Sequence, residues 1–160
     1  MQKINEMRMT LDSKSVNESF ARSTVAAFMA QLDPTLDEIS DVKMAVSEAV
    51  TNCIVHAYPQ SVGKIYICVT VFENRRVRIS IRDKGCGIVD VKQAMEPLFT
   101  TKPEEDRSGM GFSFMEAFMD ELHVTSKVGE GTTVRMRKKI GRGVRTGSEA
   151  GLDRSSNHLD

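Results

Sequence analysis

The sequence of 160 residues has no tryptophan, only two tyrosines, and three cysteines, Cys53, Cys68 and Cys86, that lie far apart. Cysteines without a paired spacing favour free thiols over a disulfide framework or a zinc site. No apolar run approaches the roughly 20 residues that span a bilayer, and the first residues lack the apolar core of a secretion signal. We therefore expect a cytoplasmic protein that does not enter the membrane.

Net charge is also lacking, because 22 basic residues balance 22 acidic ones. This balance argues against direct nucleic-acid binding through bulk charge. It still allows a local basic patch that contacts an acidic ligand. Hydrophobic residues, at 40% of the chain, suffice for the packed core of one domain.

The spacing of apolar residues changes along the chain and predicts an order of helices and strands. Alternation predicts strands over residues 7–12, 64–73, 77–81, 122–126 and 132–140, and helical spacing predicts helices over 16–32, 37–58 and 111–120. We expect Ser15 to cap the first helix and Asp33-Pro34 to end it. This order predicts an α/β fold, an α+β two-layer sandwich.

Two stretches carry little periodic signal. Residues 84–108 are rich in Gly, Pro, Thr and charge, and loops of this length are usually functional or mobile. The glycine-rich and then polar stretch after Ile140 has no core-forming pattern. We predict one domain over residues 1–140 and a flexible polar tail over residues 141–160.

A possible catalytic stripe lies on the second predicted helix. Glu48, Asn52 and His56 step by four residues and share one side of the helix, roughly opposite its apolar face. A solvated helix face accounts for such a stripe. The alternative gives the Asn52 amide oxygen to Mg²⁺, which prefers a few protein oxygens together with phosphates and waters. Glu48, one turn away, is then placed to accept a proton from an incoming hydroxyl.

Glycines flank charged residues at two further points. Asp83 ends a predicted strand and is followed by Gly85 and Gly87; its carboxylate could accept a hydrogen bond from the exocyclic amine of adenine, although Asp and Gly also favour ordinary turns. The segment from Arg107 to Gly111 precedes a predicted helix, where backbone amides favour anions and an arginine fork can hold a terminal phosphate. An ordinary helix cap fits this segment equally well. Neither a P-loop nor a complete dinucleotide fingerprint is present.

Together, these segments resemble the GHKL ATPases. Residues 47–57 resemble the N box of that superfamily, 83–88 its first glycine box, 107–112 its second, and 131–133 its distal threonine element. The resemblance covers about residues 8–140. It implies the GHKL (Bergerat) ATP-binding fold, in which helices cover one face of a mixed, mainly antiparallel sheet.

Four shorter stretches, residues 17–22, 47–52, 97–103 and 107–112, resemble the sporulation anti-sigma factors of endospore-forming bacteria. That resemblance implies a homodimeric serine kinase that binds and inhibits an RNA polymerase sigma factor. It also implies phosphorylation of a serine on an anti-anti-sigma partner with Mg-ATP, with ATP or ADP selecting the partner. The first strand and first helix are the expected dimer contact.

The resemblance also implies a role for each matching residue. Glu48 is the catalytic base, Asn52 the Mg²⁺ ligand, Asp83, Gly85 and Gly87 the adenine contacts, Lys102, Arg107, Gly109 and Gly111 the phosphate contacts, Thr132 and Thr133 the residues beneath the adenine, Arg22 the contact to protein partners, and residues 97–107 the lid. A surface lysine at 102 and a solvated arginine at 22 are the simpler alternatives.

Two other functions fit the same motifs. The first is a module that sequesters a sigma factor in a nucleotide-dependent way without transferring phosphate; the presence of Glu48 argues mildly against it. The second is the ATP-binding half of a histidine kinase. That class needs a phosphoacceptor histidine, and the first predicted helix contains none.

Overall fold

A computed structural model describes residues 2–96 and 111–141. Its elements are β1 (Lys3–Asp12), α1 (Val16–Met29), α2 (Leu36–Asn52), β2 (Lys64–Phe72), β3 (Arg76–Asp83), α3 (Val91–Ala94), α4 (Phe112–Phe118), β4 (Glu121–Lys127) and β5 (Gly131–Lys139). In these ranges, no helix combines the length and the apolar character that a membrane crossing requires. The predicted lid and nearly all of the predicted tail lie outside the described residues.

The five strands form one sheet in the order β1-β2-β3-β5-β4. Each of the pairings between neighbouring described strands is antiparallel, so this part of the expected mixed sheet contains antiparallel pairs alone. Because side chains alternate along a strand, Ile65, Ile67 and Val69 point to one face and are almost fully buried. The α/β sandwich predicted from the sequence is confirmed.

The core lies between that apolar face of the sheet and the helices. Val25 and Met29 of α1 and Val46 and Val50 of α2 have no exposed surface. Met115 of the short helix α4 is equally buried. Burying side chains of this kind contributes about 1.5–3 kcal/mol each, which explains why the helices pack as one layer. The packing fixes α2 along the sheet, with its last turn close to the end of β3.

A capping box fixes the start of α2. The Thr35 hydroxyl accepts a hydrogen bond from the Glu38 N–H (3.1 Å), and the Glu38 carboxylate accepts one from the Thr35 N–H (2.8 Å). The same carboxylate accepts the N–H of Gly141 (2.9 Å), which follows the last strand. Burial raises the pKa of Glu38, but these hydrogen bonds outweigh it, and the net pKa is lowered.

The helical segment begins at Val16 and stops before Asp33-Pro34, as predicted, but the predicted Ser15 cap is absent. Ser15 has helical dihedral angles (φ −53°, ψ −35°) and its side chain makes no capping hydrogen bond, since capping requires an extended residue at this position. The α-helix ends at Met29 and continues as a 3₁₀ turn over Ala30–Leu32. Asp33 then adopts a left-handed conformation (φ 49°), because the following proline disfavours another right-handed helical residue.

The second predicted helix has the expected total length but changes type. Its α-helical part ends at Asn52, and Cys53–Ala57 form a π-helical turn, closed by the Tyr58 N–H donating to the Cys53 carbonyl (3.1 Å). Such turns occur frequently at functional sites. The loop predicted over residues 84–108 also contains the short helix α3, whose first turn is capped by Asp90.

Candidate functional site

A small cavity lies beside the last turn of α2. The end of β3, the start of β5 and the start of α4 complete its walls. The cavity is lined by Ala49, Asn52, Cys53, His56, Ala57, Ile81, Asp83, Gly87, Ile88, Phe112, Thr132 and Val134. It thus joins four segments that are far apart in the sequence.

Hydrogen bonds attach the π-helical turn to the segment after β3. The Cys86 N–H donates to the Ala57 carbonyl (3.1 Å), and the Cys86 thiol donates to the His56 carbonyl (3.0 Å). The Tyr58 hydroxyl accepts the Lys84 N–H (2.7 Å) and donates to the Lys64 carbonyl (2.8 Å). These bonds fix the position of Asp83, which directly precedes Lys84, relative to α2.

Asp83 is a buried carboxylate, with 6% of its surface exposed. Its Oδ1 accepts the N–H groups of Gly85 (3.0 Å) and Thr132 (3.1 Å). Its Oδ2 lies 3.6 Å from the thiol of Cys53. Burial raises the pKa of Asp83, and these hydrogen bonds oppose the rise only in part. The carboxylate therefore presents one oxygen, Oδ2, to a hydrogen-bond donor in the cavity.

The Cys53 thiol beside this carboxylate is itself buried, with 3% exposed. Burial raises the pKa of the thiol well above its usual value, and the negative charge and hydrogen bond of Asp83 raise it further. The sulfur therefore stays protonated and acts as a donor.

The first glycine segment, residues 83–88, packs against its surroundings without room for a side chain at Gly85 or Gly87. A Cβ at residue 85 would overlap the Ala57 carbonyl. Gly87 has a positive φ of 76°, and a Cβ there would overlap the backbone of Lys127. Close backbone approach thus explains why the segment carries glycine at these two positions.

Gly111, in the second glycine segment (residues 107–112), contacts Glu48, the predicted catalytic base. It has φ 70°, and a Cβ at this residue would overlap Glu48 Oε2. The carboxylate of Glu48 is thereby placed at the start of α4, one helical turn before Asn52. Lys102, Arg107 and Gly109 lie outside the described residues.

Asn52 and His56 are each 8% exposed and line the cavity. A solvated helix face is therefore the wrong interpretation for both residues, and the expectation that they lie opposite the apolar side of the helix is also wrong. The buried arc of α2 is wide enough to include Asn52. A buried amide facing a cavity fits a role as a single protein ligand to Mg²⁺, with phosphates and waters as the other ligands.

The two threonines predicted beneath the adenine separate in the structure. Thr132 lines the cavity, is 9% exposed and shares a hydrogen bond with Ser126 (2.8 Å). Ser126 also accepts the N–H of Ile88 (2.8 Å), which lines the cavity as well. Thr133 lies on the outer face of the sheet beside Arg82, because neighbouring residues of a strand face opposite sides. It is not among the residues that line this cavity.

Arg22 lies on α1, away from the cavity. Its guanidinium pairs with Glu18 (3.2 Å) one turn earlier. It lines a shallow groove between α1 and α2 together with Leu36 and Met44, which are 85% and 44% exposed. A charged side chain beside exposed apolar groups is a suitable contact for another protein.

Four residues near the site had no role predicted from the sequence. Cys53 and Phe112 line the cavity, whereas Tyr58 and Ser126 hydrogen-bond the segment that follows β3. Phe112 directly follows Gly111 in the second glycine segment, so its position beside the cavity could have been inferred. The other three act through partners more than 20 residues away, and no local sequence signal marks them.

Comparison with known proteins gives consistent results. The pattern of the histidine kinase-like ATPase domain matches residues 10–138. An anti-sigma F factor from Caldanaerobacter subterraneus subsp. tengcongensis is 59% identical over 138 residues, which cover 86% of this chain and 96% of that protein. An anti-sigma F factor from Geobacillus kaustophilus is 54% identical over 136 residues, covering 85% and 93%.

Solved structures share the fold at low sequence identity. The RsbU and RsbW domains of a Mycobacterium tuberculosis protein superpose with a TM-score of 0.64 at 21% identity, over 87% of this chain and 33% of that one. The catalytic domain of the histidine kinase ThkA gives 0.54 at 15% identity, over 86% and 97%. Both similarities concern the architecture.

Proposed function

The chain belongs to the histidine kinase-like ATPase domain family and, within it, to the anti-sigma F factors, and on this premise we propose that it is an ATP-dependent serine kinase that also inhibits a sigma factor. In this proposal the kinase substrate is an anti-anti-sigma protein. The sigma factor is the second partner, and bound ATP or ADP selects between the two. Both partners and the reaction belong to the cytoplasm.

One observation carries the proposal. The buried Asp83 and the amide of Asn52 line a single cavity, and Glu48 lies one turn from Asn52 against the second glycine segment. A purine bound at Asp83 would direct its phosphates toward Asn52 and Gly111. The carboxylate of Glu48 then lies on the phosphate side of the nucleotide, where a hydroxyl acceptor has to enter.

The chemistry assigned to these residues is in-line phosphoryl transfer. Glu48 accepts the proton of the serine hydroxyl while that oxygen bonds to the γ-phosphorus and the bond from phosphorus to the β–γ bridging oxygen breaks. ADP leaves, and the serine becomes a phosphate ester. Asn52 would hold Mg²⁺, which would supply charge neutralisation at the phosphates. Lys102, Arg107 and Gly109 remain proposed phosphate contacts, together with Gly111.

Exposed surfaces support the proposed protein contacts. Arg22 in its groove between α1 and α2 is the proposed contact to both partners. β1 is an edge strand of the sheet, and Ile4 on β1 and Phe20 on α1 are 57% and 55% exposed. Unpaired edges and exposed apolar groups favour association, so we propose β1 and α1 as the homodimer contact.

The test uses the full chain with γ-labelled ATP, Mg²⁺, the anti-anti-sigma protein and the sigma factor. We expect acid-stable label on one serine of the anti-anti-sigma protein and nucleotide-dependent capture of the sigma factor. Sigma capture without any label would identify a binding module and refute the kinase. Acid-labile label on a histidine would instead identify a histidine kinase component.

A further inference from the structure

A thiol lies next to the carboxylate oxygen that is left for the ligand. Cys53 is the first residue of the π-helical turn and lines the cavity. Its sulfur is 3.6 Å from Asp83 Oδ2, within reach of a weak S–H donor. Neither of the other cysteines lines this cavity, and they bond to the His56 carbonyl and to Thr70 instead.

The other carboxylate oxygen is fully engaged. Asp83 Oδ1 accepts two backbone N–H groups, from Gly85 and Thr132. A carboxylate has about four lone-pair sites, two on each oxygen. The thiol occupies one site on Oδ2, so one acceptor site remains for a donor in the cavity.

We propose that Cys53 is a purine-positioning residue, whose thiol holds Asp83 Oδ2 in the orientation that receives the 6-amino group of adenine. This inference rests on the proposed function, because it assumes that the cavity binds ATP. A thiol suits the task because it is a weak donor. It orients the buried oxygen but does not compete strongly with the amino group of the ligand. Without it, Oδ2 would lose its only described protein partner.

Two nucleotides distinguish a positioning role of Cys53 from an ordinary packing role. ATP and purine riboside triphosphate differ only in the 6-amino group, so an effect that passes through Asp83 changes the affinity for ATP alone. A cavity or a shift of α2 changes both affinities equally. The experiment is titration calorimetry of both nucleotides, with Mg²⁺, against the full chain and its Cys53→Ala variant.

We expect the wild type to prefer ATP and the alanine variant to bind ATP about 5-fold more weakly, the loss of roughly one hydrogen bond. Its affinity for the analogue should stay within about 2-fold, which is within the spread of such small effects. Cys53→Ser keeps a donor and should retain most of the preference. Cys53→Val fills the volume of the thiol but has no donor, so its preference for ATP should fall as in Cys53→Ala. This second variant keeps the test valid if Cys53→Ala is unstable. Cys68→Ala, with its thiol on the outer face of the sheet, is the control.

Each outcome decides a different point. An equal loss for both nucleotides, or an unchanged preference in Cys53→Ala and Cys53→Val, overturns the positioning role and leaves the proposed function intact. Failure of the wild type to bind ATP overturns the proposed function and this inference with it. Loss of the preference in Asp83→Asn, with the preference also reduced in Cys53→Ala, supports the relay from thiol to carboxylate to amino group.

Discussion

Gly111 lies against the carboxylate of Glu48, so that a single methyl group added at residue 111 would overlap Glu48 Oε2. Gly111 also has φ 70°, which non-glycine residues adopt at a penalty of about 1–2 kcal/mol. We expect Gly111→Ala to displace Glu48 and to lower the serine phosphorylation rate at least about 10-fold, since small misplacements of a catalytic group have large effects on rate.

Gly129→Ala is the matched control for that prediction. Gly129 has φ 79° but no atom near the position of a Cβ. The free energy of unfolding of this variant should be about 1–2 kcal/mol lower than that of the wild type. Its phosphorylation rate should equal the wild-type rate. Equal losses of rate in both variants would mean that backbone strain, and not the contact with Glu48, explains the effect.

The base itself is tested by Glu48→Gln. The amide has nearly the same shape but cannot take up the proton of the serine hydroxyl, so phosphorylation should fall about 10²–10⁴-fold. ATP affinity, measured by calorimetry, should change little. Glu121→Gln, at an exposed position on β4, is the control. A near-normal rate in Glu48→Gln would remove Glu48 from the role of base.

Acidification should weaken ATP binding. Burial raises the pKa of Asp83 above its ordinary value of 3.8, and the protonated carboxyl can no longer accept through both lone pairs of Oδ2. We expect ATP affinity to fall as the pH drops toward that raised pKa, and purine riboside triphosphate to respond less. Asp83→Asn should bind ATP weakly at every pH and lose this response.

The effect of Asp83 on folding stability has the opposite sign. Its pKa is higher in the folded chain than in the unfolded chain, so the folded state binds the proton more tightly. The favourable contribution of Asp83 to folding stability is complete below about pH 3.8. It is lost as the pH rises through the raised pKa of the folded state. The difference in unfolding free energy between wild type and Asp83→Asn, followed by denaturant titration from acid to neutral pH, should show this trend.

The capping box predicts a stability effect far from the cavity. Glu38→Ala removes the acceptor for the N–H groups of Thr35 and Gly141 and should lower the unfolding free energy by about 1–2 kcal/mol. The pKa of Glu38 is lowered below 4.5. Its contribution to folding stability is therefore present above pH 4.5 and is lost as the pH falls through the lowered pKa. Asp37→Ala removes an exposed acid from the same first turn and should change stability by less than about 0.5 kcal/mol.

A charge reversal tests the protein contact on α1. Arg22→Glu places a carboxylate beside Glu18 and in the groove, and should weaken capture of both partners at least about 10-fold. ATP affinity should be unchanged, because Arg22 does not line the cavity. Lys14→Glu makes the same charge change at an exposed position just before α1, and it should bind both partners normally.

Much of the fold could be predicted because the apolar spacing changes with the type of element. The alternation over residues 64–72 and the helical spacing of Val42, Val46 and Val50 each lead directly to the observed burial. The ends of elements were less predictable. Ser15 is a favourable cap residue, yet the backbone is already helical there, and local preference did not reveal this.

The candidate site was predictable where its residues stand in recognisable sequence motifs and unpredictable where contacts are distant in sequence. Asp83 and Asn52 could be located from their motifs, and they do line one cavity. The bond between Cys53 and Asp83 spans 30 residues and depends on how α2 packs on the sheet. Thr133 illustrates the limit, because a motif does not tell which of two adjacent strand residues faces the cavity.

The π-helical turn over Cys53–Ala57 makes the spacing between Asn52 and Tyr58 as important as the side chains it carries. Deleting one residue would let the turn close as an ordinary α-helix and rotate everything after it by about 100°. The carbonyls of His56 and Ala57 would then leave Cys86, and the helix and the glycine segment would fall out of phase. In this part of the chain, the number of residues is therefore as constrained as their identity.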